Sequence, residues 1–231
     1  MDRQPAKSIH LLCIDPPYYE IVKDRWDHAW NTQAQYVDWL FGIMAAARPA
    51  LTDDASIVCF GGIGKHGVHP IFSLLERLER VYTFRNWITW QKRRGFGKSH
   101  DYIFCREEIL WLSVSPVRTE VRFNIPLTET LRGYAGFNSK YPAKSPYKRV
   151  SNVWTDIPEL MRPRVSCQKP VPLLKRIVAT HSMPGDTVAD CFVGSGTTPL
   201  ACRDLGRNFT GCDVDPAMVN MTAERLVNET K

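Results

Sequence analysis

An acidic residue, two prolines and a tyrosine follow a short apolar run in the stretch LLCIDPPYYE, residues 11–20. The apolar residues 11–14 predict a buried strand. Proline lacks a backbone N–H and has a fixed φ, so Asp15, Pro16, Pro17 and Tyr18 cannot extend a sheet. The pattern predicts a carboxylate and an aromatic ring held rigidly at a strand end. Taken alone, the string is better explained as a stiff turn with a capping acid.

A second group of small residues lies near the other end, in ADCFVGSGTTPLA, residues 189–201. A strand, a turn at Gly194, Ser195 and Gly196, and a helix follow one another, so a ligand can approach the backbone closely. Asp213 ends the next predicted strand, where α/β nucleotide folds place an acid that binds ribose hydroxyls. This order predicts an adenosine-containing cofactor. Neither a G-x-G-x-x-G dinucleotide motif nor a phosphate-binding G-K-[ST] motif is present.

Strand and helix patterns alternate around both groups, which predicts an α/β sheet with helices on both faces. The segment from 116 to about 150 shows no clear period and is predicted to be an inserted loop region. Beyond the opening strand, strands are predicted at 56–62, 83–90, 102–115, 186–192 and 208–214, around a basic loop at 91–101. Helices are predicted at 33–51, 68–81, 171–181, 197–206 and 216–226.

Length and composition fit a single domain over residues 1–231. The net charge is +6, and residues 85–150 hold 13 Lys and Arg against 5 Asp and Glu, an excess of +8. That segment is predicted either to bind a polyanion or to be a solvated basic surface. The polar first residues and the absence of a long apolar run predict neither a secretory signal nor a membrane span. Seven cysteines without a C-x-x-C pair predict reduced thiols, no metal site and a cytoplasmic location.

DPPY at residues 15–18 and DCFVGSGTT at residues 190–198, in this order, resemble the β-class amino-methyltransferases of DNA. Further similar strings are NVWTDIP, CQKPVPLLKRIV, FGG and EEILW, so the resemblance spans residues 9 to 226. It implies a circularly permuted, three-layer Rossmann-like methyltransferase fold with a central, mostly parallel sheet. Val165 departs from the pattern, because the family often has a histidine there.

The resemblance implies S-adenosylmethionine as cofactor and the exocyclic amino group of a base as substrate. Asp15 and the Pro16 carbonyl would accept the two amino hydrogens, Pro17 would keep them fixed, and Tyr18 would stack on a flipped base. Tyr19 or Trp26 is predicted to form the opposite wall. The implied cofactor residues are Asp190, Phe192, Gly194, Ser195, Gly196, Thr197, Asp213, Gln168 and Lys169, and core packing explains Phe192 equally well.

Double-stranded DNA is the implied partner, and residues 116–150 are the candidate target-recognition segment. The resemblance favours a homodimer, and it leaves open whether a cognate restriction enzyme is a further partner. The candidate DNA-binding residues are Lys92, Arg93, Arg94, Lys98, Lys140, Lys144, Lys148 and Arg149. Asp at the head of the tetrapeptide favours N6 of adenine. The alternatives are N4 of cytosine, an RNA base, and a non-catalytic DNA-binding subunit.

Overall fold

A seven-stranded sheet organises the fold of the computed structural model, which describes residues 4–19, 29–62, 69–97, 99–131 and 145–229. The strand order is β7-β3-β4-β2-β1-β8-β9, and β5 and β6 form a separate pair. The strands are β1 Ile9–Ile14, β2 Leu51–Gly61, β3 Thr83–Phe96, β4 Phe104–Ser113, β5 Leu127–Leu131, β6 Tyr147–Arg149, β7 Val153–Trp154, β8 Thr187–Asp190 and β9 Asn208–Gly211.

Four of the six strand pairs in the large sheet are parallel, and β4 runs antiparallel to both of its neighbours. The predicted mostly parallel sheet is therefore confirmed. Because β4 is reversed, its first residues lie beside the last residues of β2, with Glu108 opposite Gly61. The first residues of β4 therefore lie at the same edge of the sheet as the carboxyl ends of the parallel strands.

Helices cover both faces of the sheet, as predicted. They are α1 Gln33–Ala46, α2 Pro70–Leu78, α3 Val171–His181, α4 Thr197–Leu205 and α5 Pro216–Asn228. Side chains alternate along a strand, so Leu12 and Ile14 of β1 join the core under α1 and α2, while Leu11 and Cys13 join the core under α3 and α4. This three-layer arrangement is why β1 is apolar over residues 11–14.

Several predicted segments differ from the structure, and the three largest differences have local reasons. Helix α1 ends at Ala46, five residues before the predicted end, because Pro49 lies in a 3-10 turn and Leu51 starts β2. The segment predicted as a basic loop continues β3 as far as Phe96, where its backbone pairs with β4. The segment predicted as irregular, 116–150, contains β5 and β6.

Three loops meet at the carboxyl edge, after β1, after β8 and after β9, because these strands are parallel neighbours. The two groups of residues that stand far apart in sequence are thereby brought to adjacent strand ends. Among the described helices, none has the length and apolarity needed to cross a membrane. The described residues contain no cluster of His, Cys, Asp and Glu side chains suited to a metal ion.

Candidate active site

A cavity of about 520 Å³ opens at this edge of the sheet. Its wall contains residues 15–18 after β1 and most of the glycine turn after β8. This volume is typical of a small-molecule site. The predicted cofactor residues that line it are Gln168, Lys169, Asp190, Phe192, Gly194, Ser195, Thr197 and Asp213. The structure therefore brings both predicted groups to one cavity.

The Asp15 carboxylate is held by donors on both oxygens. The Tyr18 hydroxyl lies 2.9 Å from Oδ1, and the Lys169 ammonium lies 2.6 Å from Oδ2. The Tyr36 hydroxyl donates to the Pro17 carbonyl at 2.8 Å, which fixes the tip against α1. Burial raises the pKa of Asp15 above its usual value, and the Lys169 ammonium opposes part of that rise. The Asp15 carboxylate is thus held rigidly, is partly exposed to the cavity and lies beside the Lys169 ammonium.

Two glycines give the second wall its shape. Gly194 and Gly196 have φ values of 52° and 83°, in the left-handed region that favours glycine. A Cβ on Gly196 would lie 2.6 Å from the Thr222 hydroxyl oxygen. The turn therefore requires glycine for its backbone conformation and for its close contact with α5.

Two acids hold the turn in place. Asp190 accepts hydrogen bonds from the Phe192 backbone N–H at 2.8 Å and from the Thr198 hydroxyl at 2.7 Å. Burial raises the pKa of Asp190 to about 7. Asp213 accepts from the Gly194 N–H at 2.8 Å, which ties the end of β9 to the turn. Each carboxylate oxygen has a second lone pair, so Asp213 still has acceptor capacity toward the cavity.

The remaining predicted residues occupy more varied positions. Phe192 lines the cavity, and its ring centroid lies 5.6 Å from that of Trp39, so its packing is observed and its contact with the cofactor stays a prediction. Gln168 accepts a hydrogen bond from the Arg164 N–H at 2.8 Å. Tyr19 packs in the core beside Tyr36 rather than on the cavity wall. Trp26 lies outside the described residues.

The predicted DNA-contacting residues divide into four groups. Arg93 and Arg94 are exposed at the end of β3, and their backbone N–H groups donate to the Glu159 carboxylate at 2.8 and 3.0 Å. Lys92 instead directs its ammonium at the buried Glu107. Lys148 and Arg149 are exposed on β6, and the residues outside the described ranges are Lys98, Lys140 and Lys144.

Sequence reasoning missed three residues that shape the site. Glu107 reaches the Tyr18 hydroxyl from β4 at 3.2 Å, although its sequence signal is only an acid inside an apolar run. Arg225 is buried and donates to the carbonyl and hydroxyl oxygens of Ser195. Thr222 donates to the Gly194 carbonyl at 3.2 Å. For Arg225, the sequence signal is a basic residue on the predicted inner face of α5.

Comparison with known proteins identifies the family. A family model described as DNA methylase, for the N6 and N4 methyltransferases, matches residues 9–224. The chain belongs to the N6/N4 DNA methylase family. The predicted family membership is therefore confirmed.

Two relatives align with nearly the whole of this methylase. The type II methyltransferase M1.MboII of Moraxella bovis is 30% identical over 95% of the chain and 90% of its own length. The DNA adenine methyltransferase YhdJ of Escherichia coli K12 is 28% identical over 96% of the chain and 77% of its own length.

Solved structures confirm the fold of the methylase. The cytosine-N4-specific PvuII DNA methyltransferase superposes with a TM-score of 0.75 at 18% identity, covering 100% of this chain and 83% of its own. TTHA0409 of Thermus thermophilus, complexed with S-adenosylmethionine, gives a TM-score of 0.67 at 22% identity, covering 97% of this chain and 87% of its own. The cofactor prediction agrees with the ligand of that structure.

Proposed function

We propose that this protein transfers a methyl group from S-adenosylmethionine to the N6 amino group of adenine in DNA. The observation that carries the proposal is the single cavity formed by residues 15–18 and the glycine turn. Adenine is favoured by the Asp15 carboxylate at the head of the tetrapeptide and by the adenine-methylating relative YhdJ. A non-catalytic subunit would need neither this acid nor the glycine turn.

The cavity fits the proposed donor in size and charge. Its volume of about 520 Å³ suits a molecule that combines an adenosine with an amino acid. Asp213 and Asp215 place two carboxylates on the wall, which favours a ligand that carries positive charge. When bound, S-adenosylmethionine supplies an electrophilic methyl group. Asp213 would hold the ribose, and Gly194 and Ser195 would contact the donor through the turn.

Asp15 and Pro16 would orient the acceptor. The lone pair of an exocyclic amino group is delocalised into the base, so the nitrogen must become pyramidal before it can attack a methyl group. Two acceptors arranged tetrahedrally, the Asp15 carboxylate and the Pro16 carbonyl, favour that geometry over the planar one. Tyr18 is proposed to stack on the flipped base, since the base cannot be reached inside a duplex.

DNA contact is proposed for Arg93 and Arg94 on the β3–β4 hairpin and for Lys148 and Arg149 on β6. Glu107 of β4 lies opposite Trp90 of β3, so Arg93 and Arg94 follow farther along the same strand pair. This part of the hairpin extends beyond the edge of the sheet where the cavity opens. Most such contacts would go to phosphates. Target recognition is proposed for residues 116–150 within a single domain. The homodimer and the cognate restriction enzyme stay predictions.

The test uses labelled S-adenosylmethionine and mixed-sequence duplex DNA, followed by mass spectrometry of the digested nucleosides. We expect labelled N6-methyl-2′-deoxyadenosine from the wild-type protein and at least about 100-fold less of it from the matched Asp15→Asn variant. Labelled N4-methyl-2′-deoxycytidine as the product would show that the target base is cytosine and not adenine. Absence of any methylated nucleoside across varied DNA sequences would refute DNA methyl transfer.

A further inference from the structure

A buried ring of hydrogen bonds and ion pairs surrounds the Asp15 carboxylate. The Lys169 ammonium lies 2.6 Å from Asp15 Oδ2 and 3.2 Å from Glu107 Oε2. The Tyr18 hydroxyl lies 2.9 Å from Asp15 Oδ1 and 3.2 Å from the same Glu107 oxygen. The Lys169 ammonium therefore bridges the two carboxylates, and the single hydrogen of the Tyr18 hydroxyl lies within reach of both.

Three oxygen atoms surround the Lys169 ammonium. Beside the two carboxylates, the Cys167 carbonyl accepts a hydrogen bond from it at 3.2 Å, and Lys169 as a whole is only 5% exposed. Cys167 has a φ of 62°, a left-handed conformation that is costly for a residue with a side chain. The loop thus keeps an unfavourable backbone conformation where its carbonyl faces the ammonium. An ammonium enclosed by three oxygen atoms is directed at these partners rather than at a ligand in the cavity.

Both ends of Lys169 are fixed. Its backbone carbonyl accepts a hydrogen bond from the Thr197 hydroxyl at 3.1 Å, at the start of α4. Its ammonium lies 5.3 Å from the Tyr18 ring centroid and 5.1 Å from that of Phe60, within the range of cation–π attraction. Glu107 is in turn held by Lys92, which approaches from the more exposed side. The ring therefore has few ways to relax if one member is removed.

We propose that Lys169, supported by Glu107, is a positioning residue that fixes the orientation and the ionised form of the Asp15 carboxylate. This role rests on the proposed function of Asp15 as the acceptor for the target amino group. It differs from the contact with the methyl donor that the family resemblance implies for Lys169. With one donor on each Asp15 oxygen, rotation of the carboxylate is blocked and the free lone pairs remain for the substrate.

Lys169 and Glu107 act on the Asp15 carboxylate with opposite signs. Burial raises the pKa of Asp15, Lys169 lowers it, and the like charge of Glu107 raises it. Burial alone would also raise the pKa of Glu107, but Lys169 and Lys92 bring it below its usual range. The titratable groups that face Asp15 are Lys169, Glu107, Tyr18, Asp190, Cys13, Cys59 and Cys167.

The experiment compares Lys169→Met and Glu107→Gln with the wild type and with Lys175→Met. Lys175 is a matched control, because it lies on α3 and pairs with Asp204 at the surface, 2.7 Å away. Single-turnover methyl transfer is measured across pH, and donor affinity by calorimetry. In parallel, carboxyl-¹³C NMR follows the titration of Asp15, whose signal is assigned by its absence in Asp15→Asn.

The two variants should move the acid limb of the pH profile in opposite directions. Lys169→Met should move it to higher pH, with transfer at neutral pH reduced about 100-fold by the combined loss of orientation and of the ionised form; the part caused by protonation should recover as pH rises. Glu107→Gln should move it to lower pH. Donor affinity should stay within about threefold of the wild type, and Lys175→Met should change neither quantity.

Three results would overturn the proposal. An unchanged Asp15 titration in both Lys169→Met and Glu107→Gln would show that Lys169 does not control the carboxylate. A selective loss of donor affinity in Lys169→Met would make Lys169 a donor ligand instead. Shifts of the same sign in both variants would contradict the opposite charges. Because the NMR titration needs no turnover, a wild-type protein that fails to methylate DNA would refute the proposed function without removing this test.

Discussion

Replacement of Gly196 by alanine tests the shape of the glycine turn. The residue has a φ of +83°, where a side chain costs about 1–2 kcal/mol. The new Cβ would lie 2.6 Å from the Thr222 hydroxyl oxygen and 3.0 Å from the Thr222 Cβ and Cγ2. Thr222 is held by its hydrogen bond to the Gly194 carbonyl, so it cannot move away without a further loss. Overpacking of this kind costs about 1–3 kcal/mol.

The matched control is Gly185→Ala, because Gly185 has a φ of +87° and nothing within 4 Å of the added Cβ. We expect Gly196→Ala to lower the free energy of unfolding by about 2–5 kcal/mol and Gly185→Ala by about 1–2 kcal/mol. Urea unfolding measures both, and calorimetry measures donor affinity, which only Gly196→Ala should weaken. Equal losses of stability in the two variants would refute the argument that Thr222 and the turn form a rigid contact.

Three further predictions concern charge and pH. Arg225→Met should weaken binding of the methyl donor by about 10-fold, because it removes the hydrogen bonds to Ser195. Arg80→Met, at an exposed turn, should leave that affinity unchanged, and calorimetry with both variants measures it. The double variant Arg93→Ala/Arg94→Ala should weaken the salt dependence of DNA binding. The slope of log binding constant against log salt concentration should fall by about one for each lost phosphate contact, and an unchanged slope would contradict such contacts. Burial raises the pKa of Asp190 to about 7, so the folded state binds more protons there than the unfolded state. The free energy of unfolding should therefore fall by roughly 4 kcal/mol between acidic and neutral pH, relative to that of Asp190→Asn. Urea unfolding at several pH values measures it, and the same pH dependence in both proteins would refute the raised pKa.

The βα alternation and the two motifs were predictable because strand and helix periods are local properties of the sequence. Apolar residues at 11–14 of β1 indicated burial on both faces, and the Gly206 C-cap and the helix start at Pro216 were visible directly. The neighbouring positions of the two motifs followed once the sheet was taken to be parallel, since parallel strand ends share an edge.

The charged ring and the extent of β3 were not predictable in the same way. Glu107 and Lys169 lie on β4 and in the loop before α3, and only the reversed direction of β4 brings Glu107 to the cavity edge. The basic segment at the end of β3 lacks apolar alternation and is a strand only because it pairs with β4, Phe96 opposite Phe104. Such pairing across a hairpin has no signal in the apolar pattern of the segment itself. Arg225 supports the turn from a helix that the sequence placed correctly but could not orient.

The most direct test of the proposed chemistry separates the methyl donor from the acceptor. Single-turnover transfer to duplex DNA and donor affinity are measured for the wild type and for Asp15→Asn, which preserves side-chain volume. The predicted result is a transfer rate reduced by about 100-fold or more, with donor affinity within about threefold of the wild type. Transfer at an undiminished rate in Asp15→Asn would contradict the role of this carboxylate as the acceptor for the target amino group.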